Sequence, residues 1–175
     1  CKVRQGTNGQ AGMGLHVNSN LALEIAVDLS PPLPAKHDPR AELAAQFIPA
    51  GARVFDFSAG KALERYLPHG CSYQALARPK RKGEVRDIAG DDFPTKAALD
   101  ADIIVMLGTL EQVADLDSLF THLRFCKRDL VLSYGATDLS GKGAMSFYEL
   151  TLLFDRFGFR IASTAPISER EQLMR

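Results

Sequence analysis

The sequence has no tryptophan, three cysteines and no surplus of either charge. Each shortage excludes something. With 21 basic and 21 acidic residues the formal net charge is zero, so no overall field draws the chain to nucleic acid or to an anionic membrane. Cys1, Cys71 and Cys126 are odd in number and form no CxxC pair. That argues against a disulfide framework and against a metal site, and it fits a reduced, cytoplasmic setting. No apolar run approaches the roughly 18 residues of a membrane span. No secretory leader is visible either, although the sequence opens on Cys1 rather than Met.

What is present is ordinary for a globular chain: 175 residues, 46% apolar and 24% charged. That length suits one domain with a real core. Residues 1–19 scatter Gly6, Gly9, Gly12 and Gly14 among polar residues, the pattern of a flexible arm. "NLALEIAVDL" then spaces Leu21, Leu23, Ile25, Val27 and Leu29 two apart, which is strand periodicity. "SPPLPAKHDP" has four prolines in ten residues and is an extended connector. It delivers Asp38 as helix N-cap and Pro39 as first helical residue for "PRAELAAQFI". Residues 1–50 thus read as an amino-terminal arm, strand and helix.

From residue 51 onward, short apolar runs alternate with amphipathic stretches. "RVFDF", "SYQALA", "EVRDI", Ile103 to Leu107 and "DLVLSY" read as strands. "KALERYL", "LDSLFTHLRFC" and "SFYELTLLFDRFGF" read as helices, the last ending at Gly158. "RIASTAPI" and "REQLMR" follow with no helix between them, so they form an antiparallel pair at one edge. Alternation of this kind predicts an α/β, three-layer sandwich around a mostly parallel sheet.

The first of these strands ends on Asp56 and turns through Ser58, Ala59 and Gly60. In an open α/β sheet, ligands bind beyond the carboxyl ends of the strands. A small-residue turn lets a ligand approach the backbone, and free N–H groups at the next helix attract a carboxylate or phosphate. A carboxylate at the strand end favours an ammonium or hydroxyl, so an amino-acid-bearing cofactor suits the loop better than a dinucleotide. A D-x-S-x-G turn also arises by chance in α/β proteins, and the loop alone decides nothing.

Taken in order, "ARVFDFSAGKALERYLP", "CSYQALAR", "EVRDIAGDDFP", "DADIIVMLGTLEQVADLDSLFTHLR", "DLVLSY" and "SFYELTLLFDRFGFRIASTAPI" resemble a class I S-adenosylmethionine-dependent methyltransferase. The resemblance covers about residues 50 to 175. It implies a Rossmann-like, seven-stranded sheet with the last two strands antiparallel, a methyltransferase-like domain over residues 51–175, and S-adenosylmethionine as cofactor. Asp56, Ser58, Ala59 and Gly60 would face its methionine end. Ala77 stands where the family's ribose-binding acid ends the second strand. Asp87 would accept from the adenine amino group with Ile88 against the ring, and Gly108, Thr109 and Leu110 would floor the pocket. Ser58 and Ala62 replace family glycines.

The chain also resembles bacterial methyltransferase-like domains found with exopolysaccharide biosynthesis proteins, some labelled polysaccharide pyruvyltransferases. That similarity implies a small-molecule or saccharide acceptor. Two functions stand side by side: a methyltransferase, and a degenerate, non-catalytic binding or assembly module. A nucleotide-sugar-binding domain is a third and weaker alternative. No catalytic residue is fixed by the sequence. Glu111, Tyr134 and Asp138 are the candidates on the acceptor side, against the plain reading of a glycine-containing loop. His37 precedes the first core strand and is either a pocket residue or a turn residue before the Asp38 cap. His69 and His122 read as solvated. The basic run Arg78, Lys80, Arg81, Lys82 and Arg86 reads as a solvated loop, since no aromatic residue interleaves it for base stacking.

Overall fold

A computed structural model describes residues 37–58, 61–77, 87–135, 145–169 and 171–175. The glycine arm, the strand expected at 20–29, Ala59, Gly60, the basic run and Asp138 lie outside them.

The first described helix, α1 (Pro39–Ala45), starts as the sequence expects. Asp38 accepts from the N–H groups of Arg40 and Ala41, and Pro39 needs no donor there. The chain then runs β1 (Arg53–Asp56), a 3-10 turn (Leu63–Arg65), β2 (Ser72–Ala75), α2 (Thr95–Asp100), β3 (Ile103–Met106) and a second 3-10 turn (Leu110–Gln112). It finishes with α3 (Leu116–Cys126), β4 (Asp129–Gly135), α4 (Phe147–Phe157), β5 (Thr164–Pro166) and β6 (Glu171–Met174). The caps are local. Asp115 accepts from Ser118 N–H at the start of α3. Ser146 and Glu149 form a reciprocal capping box on α4, which Gly158 closes at φ 78°.

The six strands form one sheet in the order β2-β1-β3-β4-β6-β5. β2, β1, β3 and β4 are parallel, while β6 runs antiparallel to both β4 and β5. The closing strands are therefore the expected antiparallel pair. Of the expected third strand, "EVRDI", all but Asp87 and Ile88 falls outside the described residues, so six of seven expected strands are seen.

Alternation along the strands sends side chains to two faces. Val54, Ile103, Val105, Val131 and Leu173 pack with Ala41, Ala44 and Leu63, beneath α1. Phe55, Ile104, Met106, Leu130 and Leu132 pack with Ala98 of α2, Leu119, Phe120 and Leu123 of α3, and Leu150 and Phe154 of α4. The result is a three-layer α/β sandwich. Burying each large side chain of this kind contributes about 1.5–3 kcal/mol. No helix among the described residues is long and apolar enough to cross a membrane.

Two expectations need correcting. "KALERYL" is a single 3-10 turn, closed by Tyr66 N–H on Leu63 O, rather than a helix. Pro68 disfavours helical backbone at Leu67 and stops it. Conversely, α2 occupies residues where no helix is expected. At six residues it is too short to display a helical period.

Arg53 and Asp102 lock β1 to the start of β3. Arg53 donates through its backbone N–H (2.9 Å), Nε (3.1 Å) and Nη2 (2.7 Å) to the Asp102 carboxylate, and Asp102 N–H donates back to Arg53 O. These hydrogen bonds hold the Asp102 carboxyl down to about 2. A carboxyl lowered by folding adds stability that is complete above its unfolded value and is lost as pH falls through the folded one. Stability from this group should therefore disappear between about pH 4 and pH 2. Asp102→Asn is expected to flatten that part of the profile, as urea unfolding at both pH values will read, and equal slopes in the two proteins would refute the clamp.

Candidate functional site

Asp56 ends β1 with its carboxylate inside the protein, 1% exposed. Oδ1 accepts from Ser58 N–H at 2.7 Å, and Oδ2 accepts from the Tyr73 hydroxyl at 2.8 Å. Tyr73 stands on β2, paired with Val54 in the parallel register. Burial raises the Asp56 carboxyl above its ordinary value, the bonds from Ser58 and Tyr73 oppose that rise, and the nearby Asp38 charge adds to it. Burial, then the Asp56 charge, lifts the Tyr73 phenol well above the usual range, which keeps it a donor.

The turn after β1 is stitched to the end of β3. Phe57 N–H donates to Val105 O at 2.9 Å. The Ser58 hydroxyl accepts from Leu107 N–H at 3.2 Å and donates to Leu107 O at 3.4 Å. Gly108 follows at φ 60°, a left-handed conformation that glycine adopts freely. Its N–H donates to the Ser133 hydroxyl and its carbonyl accepts from Gln112 Nε2. Thr109 is buried beside it. Asp56, Ser58, Gly108 and Thr109 are thus gathered at adjoining strand ends.

Glu111 and Tyr134 lie at the same end. Glu111 Oε1 accepts from Gly135 N–H at 2.8 Å, bridging the turn after β3 to the end of β4. The Tyr134 hydroxyl donates to the Met145 carbonyl. Burial first, then the Glu111 charge, raises its phenol, so Tyr134 is a structural donor rather than a base at neutral pH. Asp138, the third candidate, lies outside the described residues.

Asp87 closes a tight turn. Its Oδ1 accepts from the N–H groups of Ala89 and Gly90, both at 3.1 Å. A Cβ at position 90 would sit 2.5 Å from Asp87 Oδ2, so glycine there lets the carboxylate fold in. Ile88 is buried in the core beside Phe57 and Phe93. Ala77 is exposed just beyond β2 and carries only a methyl group.

Three contributors are not signalled locally: Tyr73, Arg40 and Glu171. Arg40 Nε approaches Glu171 Oε1 to 2.6 Å, without the alignment of a hydrogen bond. The same guanidinium lies 3.5 Å from where a Cβ at position 108 would be. Glu171 pairs with Gly135 across β6 and β4, which places it at the carboxyl end of β4. His37, Asp38, Arg40, Ala62, Ser168 and Glu171 line a cavity of about 590 Å³ here. His37 therefore borders a cavity, with Nε2 2.7 Å from Glu42 Oε2. His69 is an exposed turn residue, as expected. His122 is not a plain solvated residue: it is half-buried and stacks on Phe93 at 4.6 Å, because Phe93 covers that side of α3.

Two variants test this carboxylate. Tyr73→Phe leaves Oδ2 short of a donor and is expected to cost about 1–3 kcal/mol in urea unfolding; an unchanged midpoint would show that the bond carries nothing. A carboxyl raised by folding stabilises the folded state most when protonated, and that contribution is lost as pH climbs through the folded value. Asp56→Asn should therefore gain on the wild type as pH climbs above the ordinary carboxyl value of about 4, and a constant difference would contradict the burial argument.

No family model matches the chain, and no curated protein does. Solved structures do resemble it. A SAM dependent methyltransferase from Aquifex aeolicus is 14% identical with a TM-score of 0.52, over 78% of this chain and 87% of that one. The pyocyanin biosynthetic protein PhzM is 14% identical with a TM-score of 0.53, over 77% of this chain and 53% of its own. TnmH is 17% identical with a TM-score of 0.51, over 77% and 52% respectively. The chain spans about half the length of the last two. At such identities the likeness is one of architecture: this chain has the fold of an S-adenosylmethionine-dependent methyltransferase domain.

Proposed function

We propose that the chain binds S-adenosylmethionine at the carboxyl ends of β1, β2 and β3 and methylates a small-molecule or saccharide acceptor. The observation that carries this reading is the meeting of Asp56, Ser58, Gly108 and Thr109 at adjoining strand ends, within a methyltransferase-type sheet order. The left-handed Gly108 keeps the floor of that site free of a side chain. The neighbouring cavity suits the amino-acid end of the cofactor, with Arg40 and Glu171, ion-paired to each other, and Asp38 offering charges for a carboxylate and an ammonium. Asp87, held by its turn, is an acceptor for an amino group, and Ile88 is the apolar residue beside it.

When bound, the cofactor supplies a methyl group made electrophilic by its sulfonium. The chain's own contribution is mainly positioning. Of the carboxylates on the acceptor side, Glu111 is tied to Gly135 N–H and is the described group suited to receive the acceptor's proton. Tyr134 anchors the approach to α4 through the Met145 carbonyl.

A second reading rests on two specific observations. Both oxygens of Asp56 are engaged within the protein, and Ala77 supplies no acceptor for a ribose. These favour a non-catalytic binding or assembly module, such as one in polysaccharide biosynthesis.

Calorimetric titration with S-adenosylmethionine and S-adenosylhomocysteine separates the two. A dissociation constant at or below about 100 μM, roughly −5.5 kcal/mol, is expected of a working cofactor site. Ala77→Asp restores a charge-assisted, bidentate acceptor and should tighten binding by about 2–4 kcal/mol, roughly 30- to 1000-fold. No heat from folded protein at millimolar ligand would favour the non-catalytic reading.

A further inference from the structure

A second cavity of about 590 Å³ lies at the opposite end of the sheet. Asp129 and Leu130, which open β4, line it, together with Met174 and Arg175 at the end of β6. Gly135, at the cofactor end of β4, is six residues further along, roughly 20 Å in an extended strand. The two cavities are therefore separate sites.

Its lining has two kinds of surface. Leu130, Leu132, Phe154, Phe159, Ile161 and Met174 make it apolar within. Arg128, Arg160 and Arg175 add three guanidinium groups, against one carboxylate, Asp129. Asp129 is already paired with Arg175 Nη2 at 3.0 Å. Of the other two guanidinium groups, that of Arg128 also acts on Asp102, whose carboxyl it helps to lower.

Arg128 is held in place by a bond from Nη2 to Leu99 O at 2.6 Å. Its Nε is buried and has no hydrogen-bond partner among the described residues. A buried donor left unpaired is costly. Arg160 is exposed and forms no ion pair among the described residues.

We infer that this cavity binds an amphiphilic anion: an apolar body against the six apolar side chains, and a carboxylate-like head between Arg128 and Arg160. A volume within the range of small-molecule sites, mostly apolar walls and a few convergent polar groups are the features of such a pocket. The fork of a guanidinium matches a planar carboxylate. The inference does not depend on the cofactor reading.

Decanoate is the probe, titrated into the whole chain, with 1-decanol as the neutral chain of equal length and acetate as the head alone. Decanoate should bind at least about tenfold more tightly than decanol, and acetate not detectably. Arg160→Gln should weaken decanoate by about tenfold and leave decanol unchanged. Arg128→Lys, which keeps the charge and loses the fork, should do the same. S-adenosylhomocysteine should not displace decanoate. Equal affinity for decanoate and decanol, no binding of decanoate at millimolar concentration, or an Arg160→Gln variant that binds decanoate as the wild type does would each overturn the proposal. If Arg128→Lys fails to fold, the exposed Arg160 decides alone.

Discussion

The carboxylate of Asp56 must be satisfied where it is buried, and the neighbouring architecture follows from that demand. A charged group taken out of water survives only with donors aimed at it. Ser58 provides one through its backbone, which bends the chain sharply at the end of β1. Tyr73 provides the other, which sets the distance between β2 and the turn. Once the chain is bent in this way, the Ser58 hydroxyl meets both backbone groups of Leu107. Gly108 is thereby placed beside the turn. One buried charge thus aligns the ends of three strands.

The same group carries a tension between stability and binding. A carboxylate already committed to two internal donors is a rigid wall, already polarised, for a ligand to lie against. It is also less available as a free acceptor. The acceptor-side carboxylate Glu111 is spoken for in a similar manner by Gly135 N–H. Preorganisation of this sort lowers the entropy lost on binding, at the expense of new hydrogen bonds gained there.

Most of the fold could be read from the sequence because its signals are local. Asp38–Pro39, Asp115 and the Ser146–Glu149 box mark helix starts, and the four apolar residues of β3 mark a strand buried on both faces. The 3-10 turn at Leu63 and the short α2 escaped because neither extends over enough turns for a period to form. Residues at the site were legible where a strand end announces them, as at Asp56 and Gly108. Tyr73, Arg40 and Glu171 were not, since their roles come from partners brought together by the parallel register and by the antiparallel return of β6. His122 was misread for a like reason: its stacking partner, Phe93, belongs to another segment.

The bond between Asp56 and Tyr73 ties together two points 17 residues apart. It makes the intervening segment a loop with anchored feet. Doubling the length of such a loop costs only about 0.6 kcal/mol in closure entropy. Length between the feet is therefore open to drift only where the sheet and core do not hold the chain, while Phe57, Ser58 and Leu63 are fixed by their own partners. The tie from Tyr73 to Asp56 keeps the ends of β1 and β2 aligned through such a change, because it does not depend on the number of residues between them.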